Sequence, residues 1–588
     1  MLLLLGRCRS RPKRAPIESL ESHPLDGIIN DAAVKAGDWL QQASRGQTLE
    51  VAVFNYRKRY GRAPPPAFDI WYNYATQRSS LVIDDYDNMY EDLRPFWGLS
   101  PVEIRRRTHE IISDSYNDAA RIMIRGGHTN TGANFKPTHR WMVDGFAHMM
   151  TDFLKFIPDM DIALNLNDEP RVAVPYGKMK RLLKAAESSS DPTGKVKKHQ
   201  WDSNRDKQWM RAENAVASRP FGHKPRLNSF TAATAACPPS SPSRRNFLWD
   251  ASPLCLSCAA PHSQGVFLSN WSLAASPCHQ PDLRNLHGFY LSPAAFRTST
   301  ELLPIFSQSK AGGFADILYP SPWNYIDKVL YAPTTDKHPD PPFAEKQNSL
   351  FWRGATSEGV SRFGTWKGMA RQRLIHLTSN SSTSTSLFTP TTPMLLPDPH
   401  HESQYTYTLP PPPRNPRQPH PKHLLHFQAH WQHRYLLDTD GAGFSGRFLP
   451  FLQSHSLPLR SGIFRTWYDH RLTAWAHFVP IDIRLHGLWS TLAYFTGTVG
   501  EKGARTLRGR VGMEKRIKRG EEIAERGRSW AGKVVRKEDM EVYLFRLLLE
   551  WGRLTDDGRE GLGFELEGGE KVDEKGGSGE GDKKAKGD

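Results

Sequence analysis

Apolar positions recur at helical spacing from the start of the patterned chain. Ile28, Ala32, Ala33 and Trp39 follow such a pattern, and Val102 to Met123 carries another after Ser100-Pro101, where proline suits the first helical turn. This predicts a mostly helical leader over 20–125. Within it, Tyr60-Gly61-Arg62-Ala63-Pro64-Pro65-Pro66 reads as a rigid extended connector, and Phe68, Trp71 and Tyr72 as the aromatic residues that dock it on a core. After Trp141 the pattern gives a helix-like Met142 to Phe156. A short apolar run follows, Ile162-Ala163-Leu164-Asn165-Leu166, which reads as a strand ending in Asn167-Asp168-Glu169-Pro170. Apolar and aromatic residues are dense again over 288–373 and 427–495. Glu514 to Leu554 reads as helical, with Ile523, Trp530, Val534, Leu544, Leu547, Leu548 and Trp551 as its buried face.

The intervals between these stretches set the expected boundaries: a basic segment 1–19, the leader 20–125, an N-terminal lobe 126–290 interrupted by a long irregular insert 188–281, and a C-terminal lobe 291–512 interrupted by a Ser/Thr/Pro-rich loop 379–421. C-terminal helices 513–556 and a charged, Gly-rich tail 557–588 complete the chain. No internal repeat is visible. Leu2 to Leu5 runs straight into basic residues, whereas a signal peptide needs an apolar run of ~7–15 residues and a membrane span ~20, so no anchor is expected here.

Composition narrows the class. With 588 residues, 24% charged and 11% aromatic, the chain is neither a small disulfide-stapled module nor a disordered basic one. The net charge of +16 predicts an anionic partner without separating a sugar-nucleotide diphosphate from nucleic acid or a membrane face. Five cysteines (Cys8, Cys237, Cys255, Cys258, Cys278) are too few for a disulfide framework.

Four segments carry candidate chemistry. At the end of the strand over 162–166, Asp168 can serve as a general base if it is held near a hydroxyl and kept partly dry. Read alone, a turn-capping Asp168 beside a solvated Glu169 is the commoner arrangement. Second, Asp438-Thr439-Asp440-Gly441-Ala442-Gly443-Phe444-Ser445-Gly446-Arg447 places a G-x-G-x-x-G after a strand and before a helix, where backbone N–H groups and a helix start can meet phosphate, with Arg447 as a permanent charge. A ligand-free turn is the commoner meaning of that pattern alone, and a dinucleotide enzyme would carry it earlier in the chain. Third, Leu350-Phe351-Trp352-Arg353-Gly354-Ala355-Thr356-Ser357 switches from strand to loop with Arg353, Thr356 and Ser357 able to hold a diphosphate. Fourth, Ser309 and Lys310 follow an apolar run and lead toward Tyr319-Pro320-Ser321-Pro322-Trp323, with Lys310 a candidate phosphate partner.

Weaker patterns surround these. Asp85/Asp87, Asp159/Asp161 and Asp438/Asp440 are D-x-D pairs of the kind that bridges a divalent ion to a nucleotide diphosphate, and a chain of this length carries chance copies. Cys255 and Cys258 with Cys278-His279 offer a minor zinc alternative. Asn270-Trp-Ser272 and Asn380-Ser-Ser382 are glycosylation sequons, meaningful only in the secretory pathway.

Taken together, the blocks ALNLNDEPRV, HGFY, PIFSQSKAGGFADILYPSPW, LFWRGATSEG, HRYLLDTDGAGFSGRFLPFLQSHS and WAHFVPIDIRLHGLWSTLAYF, in that order over roughly 140–500, resemble glycosyltransferase family 90, the fungal capsule-associated transferases related to protein O-glucosyltransferases. YGRAPPPAFDIWYNYA and DDYDNMYEDLRPFW resemble the fungal-type leader. The resemblance implies an α/β fold of GT-B type, with two facing Rossmann-like lobes, and an inverting transferase that moves xylose or glucose from UDP-xylose or UDP-glucose to a hydroxyl of a glycan or glycoprotein. No metal is obligatory in that reading, manganese being an optional addition. Asp168 falls at the family's catalytic base. Arg353 and Arg447 fall where the family holds the diphosphate, with Thr356, Ser357, Ser309, Lys310, Gly441, Gly443, Phe444 and Ser445 around the nucleotide. It further implies a Golgi or endoplasmic-reticulum lumen, membrane association in full-length relatives, no nucleic-acid partner, and a disulfide between Cys237 and Cys278. The alternatives are a catalytically inactive basic protein that binds polysaccharide or nucleic acid, and a metal-dependent GT-A-like transferase using a D-x-D pair.

Overall fold

A computed structural model describes residues 23–132, 137–189, 195–212, 220–221, 228–245, 255–334, 336–361, 364–379, 427–497, 504–506, 509–511 and 515–566. The basic segment 1–19, most of the Ser/Thr/Pro-rich loop and the tail from 567 lie outside them, as does the sequon at Asn380.

The leader begins as expected, with helices Pro24–Ala43, Leu49–Tyr60, Phe68–Gln77 and Asp87–Leu93. The stretch from 102 to 123, expected as one helix, divides. Ser100 caps a helix Pro101–Ile112 through its hydroxyl, which accepts from Glu103 N at 3.2 Å. Asp114 then folds back to accept from Tyr116 N, and Asp118 takes a left-handed conformation at φ 46°. These short polar side chains stop the helix, and Ala119–Arg125 alternates buried and half-buried positions as strand β1.

In chain order the remaining strands are β2 (His128–Thr131), β3 (Met160–Asn165), a small hairpin of β4 (Ser263–Gln264) and β5 (Phe267–Leu268), then β6 (Phe306–Ser307), β7 (Ile317–Leu318), β8 (Gln347–Phe351), β9 (His433–Thr439), β10 (Leu457–Ser461), β11 (Val479–Pro480) and an antiparallel pair of β12 (Ala504–Thr506) and β13 (Gly509–Val511). They build two main sheets. One runs β2-β1-β3-β6-β7, antiparallel on the β1 side and parallel from β3 onward. The other, β11-β10-β9-β8, is parallel throughout, and β9 and β10 are buried at every position, as strands covered on both faces must be. The protein is therefore mixed α/β.

The last two helices divide their packing between these sheets. Ile517–Val534 lies against the second sheet side, where Gly520 fits against Phe343 and Phe495 and Trp530 stacks on His477 at 4.2 Å. Lys537–Leu554 returns to the first sheet and the leader: Trp551 Nε1 donates to Asp161 O at 3.2 Å, Phe545 stacks on Phe153 at 4.6 Å, and Trp71 Nε1 donates to Val542 O at 3.0 Å. Phe68, Trp71 and Tyr72 are all buried, which fixes the connector before them. Leader and C-terminal helices thus share one core, although they stand at opposite ends of the chain.

The insert over 188–281 is less irregular than its composition predicts, since it holds helices Arg205–Ala212 and Ser229–Ala235 and a disulfide between Cys237 and Cys278. A second disulfide joins Cys255 to Cys258. The zinc set of Cys255, Cys258, Cys278 and His279 is thereby overturned, because all three sulfurs are bonded to other sulfurs and His279 Nε2 lies 2.9 Å from His262 Nδ1.

Candidate functional site

In a parallel sheet, ligands meet the loops at the C-terminal strand ends. In this chain those ends converge on one loop. The segment 440–447 leaves β9 and is touched by the loops after β3, β6, β7 and β8.

Asp168 follows β3. Asn165, the last residue of that strand, shapes its loop: its Oδ1 accepts from Asn167 N at 3.1 Å and its Nδ2 donates to Glu169 O at 3.0 Å and to Ser307 Oγ at 3.0 Å. Arg171, fully buried, donates to Asn165 Oδ1 and to the carbonyls of Asn117 and Arg297. The Asp168 side chain stays open to solvent while protein surrounds it on most sides, the situation of a carboxylate in a recess. Loss of hydration there raises its pKa above the ordinary aspartate value, against a smaller lowering by His139.

Glu169 is not the solvated neighbour expected of a strand end. It is 1% exposed and accepts from Ala294 N at 2.6 Å and Ala295 N at 2.7 Å. Burial outweighs these two donors and pushes its pKa up to about 7 from 4.5. The folded protein therefore binds a proton that the unfolded chain has released between those values, so stability conferred by this group is complete below about pH 4.5 and is lost as pH rises toward 7, by about 3 kcal/mol in all. Glu169→Gln is expected to flatten the fall in melting temperature between pH 5 and 7.5; an unchanged slope would show that Glu169 is ionised in the folded state.

The glycine loop packs against Asp168 directly. A Cβ on Gly443 would come within 2.6 Å of the Asp168 carbonyl oxygen and 3.1 Å of its Cβ, so only glycine permits this approach. Phe444 N donates to the buried Ser309 Oγ at 3.4 Å, which ties the loop after β6 to the same place. Gly446 lies against the Trp323 indole, and its carbonyl accepts from Asn324 Nδ2 at 3.0 Å. Ser445 Oγ donates to Asp438 Oδ1 at 2.5 Å.

The cationic side is held by Arg447 and by Arg371, which no sequence pattern singled out. Arg371 lies in the first turn of the helix Ala370–Ser379 and donates to Asp440 O at 2.8 Å, Ala355 O at 2.5 Å, Ser357 Oγ at 3.0 Å and Thr439 O at 3.2 Å. Glu358 places it: its carboxylate accepts from Ala370 N and Arg371 N, both at 2.9 Å, and from Gly288 N at 2.7 Å. Arg447 donates to Arg353 O and faces Asp438 at 3.6 Å. The Arg371 and Arg447 guanidiniums lie 5.8 and 6.0 Å from the Trp352 ring centre. Burial, followed by repulsion from Arg447, lowers the Arg371 pKa to about 10; burial lowers that of Arg447 against the pull of Asp438. Two desolvated cations beside each other favour an anion between them.

Of the residues singled out in sequence, Asp168, Ser309, Gly441, Gly443, Phe444, Ser445 and Arg447 meet at this loop. Ser357 joins through Arg371, whose Nη2 a Cβ on Gly441 would meet at 3.4 Å, Thr356 is exposed beside Ser357, and Arg353 contributes its carbonyl to Arg447. Lys310 turns elsewhere: its ammonium pairs with Asp92 and donates to Asp316 O at 3.0 Å, so its charge is already balanced. The helix after the motif, Phe448–Gln453, has six residues, too few for the macrodipole expected from a longer one.

The three D-x-D pairs are engaged within the protein. Asp440 accepts from Ile463 N and Phe464 N, and Asp438 from Ser445 Oγ; Asp85 and Asp87 pair with Arg59; Asp161 pairs with Arg121 and Arg125, while Asp159 accepts from Gly126 N. Among the described residues no group of three metal-ligating side chains is assembled, and no helix is long and apolar enough to cross a membrane. No protein-family model matches this chain, and no curated protein matches it either.

Proposed function

We propose that this protein is an inverting glycosyltransferase of the GT-B type that uses a UDP-sugar, with xylose or glucose as the transferred group, and that its acceptor is a hydroxyl of a glycan or glycoprotein. The observation that carries this reading is the single loop 441–447, which touches the Asp168 backbone at Gly443 and borders the Arg371 guanidinium at Gly441. An acid and a pair of guanidiniums from distant parts of the chain are thereby joined over a few residues. The resemblance to glycosyltransferase family 90 implies Asp168 as the base and Arg353 and Arg447 at the diphosphate; Arg371 is added by its place beside Gly441. Two sheets whose parallel strand ends meet at this loop, with the last helix returning to the first sheet, suit a two-lobed arrangement.

In this reading Asp168 takes the acceptor proton as the hydroxyl oxygen bonds to carbon 1 of the donor sugar. The bond from carbon 1 to the phosphate oxygen breaks, and UDP leaves with the electron pair. A carboxylate whose pKa is raised is a better base for this step than an ordinary one. The charge that grows on the leaving diphosphate is met by Arg371, Arg447, Arg353 and the N–H groups of the glycine loop. The disulfide between Cys237 and Cys278 supports an oxidising compartment such as the Golgi or endoplasmic-reticulum lumen.

The test is a screen of UDP-sugars with the purified full chain, scored for UDP release and for thermal stabilisation by UDP. UDP-xylose or UDP-glucose is expected to be consumed, and UDP alone at about 100 times its Kd to add about 2.7 kcal/mol of stability. No UDP release from any sugar nucleotide, together with no shift on adding UDP, would sink the proposal.

A further inference from the structure

A second cationic site lies apart from the glycine loop, in a crevice between the connector after Tyr60 and the end of the last helix. Arg62, Trp97, Lys195, Arg553, Arg559 and Glu560 line it. Three guanidiniums approach the one Trp97 ring: Arg62 lies on it at 3.5 Å, and Arg559 and Arg553 stand at 5.0 and 5.5 Å.

The three arginines are not equivalent. Arg553 is tied to Ala63 O, to Tyr56 Oη at 2.5 Å and to Glu550 at 2.6 Å. Arg559 is tied to Trp97 O at 3.0 Å and to Glu560 at 3.1 Å. Arg62 is only 8% exposed, its Nε is buried without a hydrogen-bond partner, and among the described residues its guanidinium makes no hydrogen bond or ion pair. A permanent charge taken out of water without a counter-ion is costly, and the indole face offsets only part of that cost. The crevice is lined by four cationic side chains, Arg62, Lys195, Arg553 and Arg559, and by the carboxylate of Glu560, which pairs with Arg559; Glu550 behind them is shared by Arg553 and Arg546, so the lining stays net positive.

We propose that this crevice is a binding site for a phosphate group, with Arg62 as its principal ligand and Trp97 as the plate that holds the guanidinium plane. A phosphate monoester carries about two negative charges at neutral pH, which suits a net positive lining, and its oxygens accept the paired N–H groups of a planar guanidinium. The site shares no residue with the glycine loop and does not depend on the glycosyltransferase reading.

The experiment is thermal unfolding of the full chain at fixed ionic strength, with inorganic phosphate titrated against chloride, for the wild type and for Arg62→Met, Arg62→Lys and Arg447→Met. Phosphate is expected to raise the melting temperature of the wild type and of Arg447→Met alike, by roughly 2–4 °C near saturation. Arg62→Met is expected to lose that response and, without phosphate, to melt no lower than the wild type, since it removes an unpaired buried charge. Should Arg62→Met fail to fold, Arg62→Lys keeps the charge without the planar fork and is expected to need about tenfold more phosphate for the same shift. A wild type that does not respond, an Arg62 variant that responds as the wild type does, or a response abolished by Arg447→Met would overturn the proposal. Repeating the titration with glucose 1-phosphate identifies the source: a stronger response than to inorganic phosphate marks a phosphorylated small molecule, and an equal one marks free phosphate.

Discussion

Asp168→Asn is expected to lower sugar transfer by about 10²–10⁴-fold while UDP continues to stabilise the protein as it does the wild type. Asparagine has the same shape, so the Gly443 contact, which involves the backbone and Cβ of residue 168, survives the change. Among the described residues no hydrogen bond to the Asp168 carboxylate holds the loop in place; that work falls to Asn165, Glu169 and Arg171. The substitution therefore removes a proton acceptor and leaves the scaffold. On the proposed mechanism the wild type should also show an acid limb in kcat/KM above the ordinary aspartate range, because the proposed base works only when ionised and burial raises its pKa. Activity is lost as pH falls through that value. A variant that transfers sugar at the wild-type rate would remove Asp168 from the reaction, and a variant that no longer responds to UDP would show instead that its charge shapes the nucleotide site.

Asp168 was legible in the sequence because an apolar run ending in acids and proline can hardly be anything but a strand with a polar tip, and because glycines at 441, 443 and 446 announce close approach. What they approach was not legible. Gly443 meets the backbone of residue 168 and Gly446 meets Trp323, contacts across long stretches of chain that local pattern cannot supply. Arg371 was missed for a related reason. It follows no motif, and it reaches the site because Glu358 captures the first amides of its helix while also binding Gly288. The helix expected to continue to Met123 failed on a local signal that periodicity outweighed, the run of Ser, Asp and Asn over 113–118 whose side chains compete for backbone amides. Lys310 shows the converse error: a cation at a promising position is already neutralised by Asp92, from the leader.

Arg371→Met is expected to be the most damaging single change at the proposed nucleotide side, weakening UDP binding by roughly 10–100-fold and lowering stability by about 3 kcal/mol. The two effects come from different atoms of the same group. Its donors satisfy the carbonyls of Ala355, Thr439 and Asp440, which join the loop after β8 to the loop after β9, and methionine removes the donor from the Ala355 and Asp440 carbonyls and leaves Thr439 O only the long bond from Arg447. The charge itself is shared with Arg447 over the Trp352 ring. Arg447→Met separates the contributions: Arg447 donates to the Arg353 carbonyl, but its other bonds, to Ser445 Oγ at 3.3 Å and Thr439 O at 3.5 Å, are long and those acceptors have further partners, so its loss should weaken UDP comparably while costing less stability. Either substitution alone relieves the repulsion between the neighbouring cations, so the sum of the two counts that relief twice, and the double variant should be more destabilised than the sum. Denaturant midpoints with and without UDP for the three variants check this directly. UDP binding that survives both substitutions would mean that the two guanidiniums only brace the loops, and the diphosphate would have to be held elsewhere.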